Sequence, residues 1–144
     1  MMAITAIGLA RYAREYFDSA KAADHVVGNR KGYEIVAPSP VMFLIAHSLE
    51  LALKAYLFHR GQKNLKSHGH DLSKLWRVCQ QNGIHQLVHL NPDEWNLLQL
   101  ISRLHVSTEL RYIDTGYKTF PVYGPLEQLT EKILNAVCPA VGYR

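Results

Sequence analysis

Between Val41 and Phe58 the chain is apolar on nearly every side a helix can present: Val41, Met42, Phe43, Leu44, Ile45, Leu49, Leu51, Leu53, Tyr56, Leu57 and Phe58. A helix with no broad polar face has nowhere to lie on a protein surface, so it belongs in the middle of a bundle. Pro38-Ser39-Pro40 marks its start, with Ser39 predicted to cap free backbone N–H groups and Pro40 suited to the first helical position. It should reach His59 or Arg60 and stop at Gly61. His47, Glu50 and Lys54 interrupt the run, which argues against a membrane span.

The rest of the chain supplies partners for that helix. From Leu9 to Val27, Tyr12, Ala13, Tyr16, Ala20 and Ala23 recur at three- and four-residue steps with Arg11, Arg14, Asp18 and Lys21 between them, an amphipathic helix that should run out near Gly28. Gln62 to Gly69 reads as a basic loop, after which Asp71 is placed to cap a helix burying Leu72, Leu75, Trp76 and Cys79 and stopping at Gly83. Asn91-Pro92-Asp93-Glu94 gives a cap, a first-turn proline and two acids at the positive end of a helix dipole. That fourth helix should bury Leu97, Leu98, Ile101, Leu104 and Thr108, and a last one should begin near Pro125 and end before Pro139. No alternating strand pattern or repeat is visible. The predicted fold is all-α, an up-and-down bundle of four to five helices, with residues 1–144 as one domain.

Length and composition agree: 144 residues, 48% hydrophobic and 19% charged, suit one compact core and exclude disordered and fibrous classes. A net charge of +4 is too modest for the dense stripe of a duplex-DNA binder. Cys79 and Cys138 lack any metal or disulfide spacing, and no basic-then-apolar leader opens the chain, so the expectation is a cytoplasmic protein with reduced thiols and no membrane partner.

Three constellations are candidates for chemistry. On the second helix His47, Glu50 and Lys54 follow at steps of three and four and share one stripe, either a solvent-facing strip or the lining of a cleft. His59, Arg60, Lys63, Lys66, His68, His70, Lys74 and Arg77 form a basic stretch in which five fixed cations face the single acid Asp71, a net +4 suited to phosphate or another anion unless it is simply a solvated loop. Near the end of the fourth helix Glu109, Arg111 and Tyr112 offer a guanidinium and a phenol, as a clamp for phosphate or as an ion pair to Glu50 or Asp71. Tyr112, Tyr117, Phe120 and Tyr123 are placed either as a lid on the bundle end or as a dimer face. His68 and His70 form an HxH pair that could be grouped with His47 and Glu50, but with no HExxH and no helical histidine pair the sequence calls for no metal and no cofactor. Ser48, Ser67 and Ser73 come without a GxSxG elbow, and there is no glycine-rich phosphate loop.

Together, His47-Ser48-Leu49-Glu50-Leu51-Ala52-Leu53-Lys54-Ala55, Gly61, Gly69-His70-Asp71-Leu72 and Glu109-Leu110-Arg111-Tyr112 resemble the HEPN superfamily of small helical bundles, in particular its bacterial HEPN-like branch. The likeness spans Tyr12 to Tyr112 and is strongest where an ELxLKA helix, a loop and a GHDL helix start follow one another. It implies a homodimeric helical bundle from a superfamily of toxin–antitoxin, phage-defence and RNA-processing systems, whose members act on RNA or accompany a nucleotidyltransferase. It carries over Glu50, Lys54, His70, Asp71, Arg111 and Tyr112 as motif positions. Its ribonuclease members use an arginine, four to six residues and a histidine, paired across a dimer, to cut RNA without metal. Here Arg60 precedes His68 by seven intervening residues, Arg77 precedes His85 by seven, Arg103 precedes His105 by one, and Arg111 has no following histidine.

The expectation is therefore an accessory or binding module that engages RNA, a nucleotide or another phosphate-bearing ligand through Glu50, Lys54, His70, Asp71, Arg111 and Tyr112, with a nucleotidyltransferase or antitoxin as a possible protein partner. One alternative is a metal-independent ribonuclease with His47 or His70 as general base. The other is a purely structural network, with function in a protein-interaction face.

Overall fold

The computed structural model describes residues 3–34, 36–107, 110 and 120–144, and among these there is no strand. Five helices follow in order: α1 (Ala6–Val27), α2 (Ser39–His59), α3 (Leu72–Gln81), α4 (Pro92–Val106) and α5 (Tyr123–Ala140). Single 3-10 turns lie at Leu65–His68 and Ile84–Gln86, the first of them inside what reads in sequence as plain loop because Leu65 turns inward to be buried.

The helix that could not sit on a surface does not. α2 packs against each of the other four helices. By length and composition it is apolar enough to cross a membrane, yet 67% of that stretch is buried inside the bundle, so the core accounts for its character. α1 meets it along a stripe of small residues, Ala10, Ala13 and Ala20 with Phe17, all fully buried. The close approach lets the Ser48 hydroxyl donate to the Ala13 carbonyl at 2.7 Å across the interface, which satisfies the buried hydroxyl.

Caps fix where the helices begin, and two differ from expectation. α1 starts at Ala6, earlier than its apolar period suggests, because Thr5 Oγ1 accepts from Gly8 N. Ser39 is already helical and makes no cap bond; Pro38 holds the flanking position and its carbonyl accepts from Met42 N. Asp71 and Asn91 cap as predicted, and Glu94 completes a capping box by accepting from Asn91 N at 2.9 Å. Glu94 also receives Lys132 from α5 at 2.8 Å, tying those helices together. α5 begins at Tyr123 and continues through Pro139, since a missing N–H in the final turn removes only one bond.

Phe120 is half-buried and Tyr123 buried, so these two aromatics fold onto the bundle; Thr108, Tyr112 and Tyr117 lie outside the described residues. Both cysteines are unpaired and buried, and burial pushes both thiols above their usual range, which leaves them unreactive.

Candidate functional site: a buried carboxylate with three donors

Glu50 sits near the middle of α2 with 3% of its surface exposed. Its two oxygens collect three donors, from two helices and the turn before α3. Lys54 Nζ, one turn along α2, lies 2.9 Å from Oε2. His70 Nδ1, just before α3, lies 2.9 Å from Oε1, and His105 Nε2, on α4, lies 2.8 Å from the same oxygen. A carboxylate only accepts, so the ring nitrogens that face it carry the hydrogens. The i, i+4 stripe read from the sequence is therefore not a solvent-facing strip: Lys54 is 12% exposed and spends its charge on a buried partner.

Burial would push the Glu50 carboxyl up, but the bonds from His105, Lys54 and His70 outweigh it and hold the group down at about 2. The site thus keeps a charged carboxylate in the bundle interior. His47, one turn before Glu50, is half-buried, with its ring edge-on to Tyr16 at 4.5 Å and parallel to Phe43 at 6.0 Å. Burial lowers the basicity of His47, partly offset by Glu50 and reinforced by His105, Lys54 and His70, so its ring is neutral at neutral pH. His47, Glu50 and His105 each bring one ligand-type atom within 4.8 Å of the others.

Gly69 delivers His70 to this cluster. It adopts φ +61°, ψ −142°, a combination side chains other than glycine's rarely take, and the chain reverses there between the 3-10 turn and α3. One residue on, Asp71 Oδ1 caps α3 by accepting from Lys74 N at 3.1 Å and receives the Ser102 hydroxyl at 2.9 Å. Ser102 Oγ in turn accepts from Ser73 N. Asp71 thus locks the start of α3 to α4, next to the histidine whose position it helps to fix.

Of the residues singled out in sequence, Glu50, Lys54 and His70 meet directly, His47 lies alongside, and Asp71 serves the adjoining cap. Glu109, Arg111 and Tyr112 lie outside the described residues. His105 and Ser102 were missed, although a signal existed: with Leu98 and Ile101 they occupy the i, i+3, i+4, i+7 stripe that α4 turns inward, where a histidine and a serine stand in apolar positions.

Among the described members of the cluster, His70 is the exposed one. Its side chain is 58% exposed while Nδ1 is pinned to Glu50. Around it on the chain, Arg60, Lys63, Lys66, Lys74 and Arg77 are exposed. Arg77 lies 5.4 Å over the Trp95 ring, and both line a groove of about 560 Å³ with Trp76, Gln80, Leu90, Asn91 and Pro92.

An all-helical bundle with a charged carboxylate in its interior, held by a lysine and two histidines from two helices and a turn, is the class of protein these features define. The HEPN domain model matches residues 9–138, nearly the whole chain, and the protein belongs to that family. HEPN domains as a class have RNA-related, nuclease and toxin–antitoxin roles. No curated protein and no solved structure matches the chain.

Proposed function

We infer that this HEPN domain is an accessory or binding module that engages RNA or another phosphate-bearing ligand at the exposed edge of His70, with the basic stretch from Arg60 to Arg77 gripping phosphates. The observation that carries this reading is the double life of His70: one ring nitrogen is fixed on a buried carboxylate while most of the side chain faces solvent. A polar group immobilised at a surface is pre-organised to bind, because its ordering cost is met on folding. Glu50 supplies the anchor, Lys54 and His105 keep that anchor charged, and Asp71 fixes the helix start that carries the histidine. Trp95 and Arg77 add an aromatic and guanidinium surface of the kind on which unpaired bases stack. A dimeric state and a nucleotidyltransferase or antitoxin partner fit the family and belong to the same proposal.

The test is fluorescence anisotropy with a short single-stranded RNA over a range of salt. Replacing Lys63, Lys66 and Lys74 by alanine should weaken binding and flatten its salt dependence by about 0.7 of a log unit per lost phosphate contact. An unchanged affinity and slope would remove the basic stretch from the site.

A second reading is favoured by the same bond. A histidine whose Nδ1–H is held by a carboxylate presents its other nitrogen as a base, the arrangement that orients general bases in hydrolytic enzymes. Ribonuclease action would then use His70 to take the 2′-hydroxyl proton. RNA cleavage in chelator by the wild type, absent in His70→Ala, is the expected result on that reading; equal background in both removes it.

A further inference from the structure

We propose that His47, Glu50 and His105 form a binding site for a divalent transition-metal ion of the zinc class. His47 and Glu50 lie three residues apart on α2 and His105 faces them from α4, the way helical bundles build metal sites from side chains on facing helices. Their ligand-type atoms all lie within 4.8 Å of one another. Bonds of about 2.0–2.1 Å in a tetrahedral set place ligand atoms about 3.4 Å apart. The trio therefore needs side-chain adjustments of about an ångström to close on an ion of that size. His105 Nε2 and Glu50 Oε1 stand 2.8 Å apart through a hydrogen bond that an ion would replace, the ring hydrogen moving to Nδ1.

The surroundings favour a site rather than a chance grouping. Glu50 and His105 are 3% and 2% exposed, and Phe43 and Tyr16 pack against the imidazoles. His105 Nδ1 is buried with no partner among the described residues, so that ring is held through Nε2 and its packing alone. Oε2 accepts from Lys54 and Oε1 from His70 and His105, so an ion at Oε1 would take the place of the His105 bond and would have the Lys54 ammonium nearby. That charge works against any dication, and the choice among them comes from the ligands: two imidazoles suit zinc, cobalt and nickel better than magnesium or calcium. The HxH grouping weighed from sequence differs: His68 is not part of this trio, and His105, from a different helix, is.

The test uses the untagged, metal-stripped full chain and needs no RNA, so its result stands apart from the phosphate-binding reading. Zn²⁺ is titrated by calorimetry and Co²⁺ by its visible absorption. The expected result is one ion per chain, Co²⁺ bands of four- or five-coordinate type, and a melting temperature raised by Zn²⁺. His47→Gln, which leaves the Glu50 bonds to Lys54, His70 and His105 in place, should weaken Zn²⁺ by about ten-fold or more and abolish the thermal shift. His68→Ala should change neither. No saturable uptake, or uptake that survives His47→Gln and disappears in His68→Ala, overturns the proposal.

Discussion

Glu50 is the one buried acid among the described residues, and three side chains bond to it. Removing its carboxylate would leave the Lys54 ammonium, 12% exposed, and the His105 ring, 2% exposed, without their partner. Glu50→Ala should therefore cost about 3–5 kcal/mol in urea unfolding, the range for breaking one side of a buried charged pair. The pH dependence follows from the same carboxyl. Its folded pKa, about 2, lies below its ordinary value, so its contribution is complete above about pH 4.5 and is lost as pH falls toward 2. Stability of the metal-free protein measured across that window should fall steeply, and the fall should be shallower in Glu50→Gln. Gly69 makes a separate demand: a side chain at φ +61°, ψ −142° is strained, so Gly69→Ala should lose about 1–3 kcal/mol. It should also lift His70 off the carboxylate, visible as an altered ring-proton shift.

At the scale of the elements, the join between α3 and α4 runs through one hydrogen-bonded chain, Ser102 to Asp71 and Ser73 to Ser102. Asp71→Ala loses both a cap and this tie and should cost about 1–2 kcal/mol. Because Asp71 and Ser102 share the network, the double variant with Ser102→Ala should be less destabilised than the two single losses combined. Additive losses would show that the bond contributes nothing beyond the cap. Much of the element layout was legible in sequence for a physical reason. The Asn91 and Asp71 caps and the nearly all-round apolar character of α2 are local signals, and each became what its chemistry suggests. The Ser39 cap failed because proline on both sides shifted the helix start by a residue, a matter of backbone placement that composition does not reveal. Most of the carboxylate cluster was legible too, since Glu50 and Lys54 share a helix face and His70 follows a turn glycine. What the sequence did not disclose was that this face is buried, because burial is decided by α4, whose His105 arrives from 55 residues away.

Across the whole molecule, the cluster divides into an interior and a mouth. Glu50 and His105 are buried, Lys54 is 12% exposed, and together they tie α2 to α4, whereas His70 touches the same carboxylate from the surface. That division separates a binding site from a merely structural network. Were the network purely structural, His70 would count toward stability as the buried members do, and its loss would be felt in folding and nowhere else. The most direct measurement is a pair of readings on His70→Ala: its unfolding free energy and its affinity for a short single-stranded RNA. The account predicts a stability loss of no more than about 1 kcal/mol, as for a half-exposed pair, with RNA affinity down by about ten-fold or more. A loss of several kcal/mol with RNA affinity unchanged would contradict it.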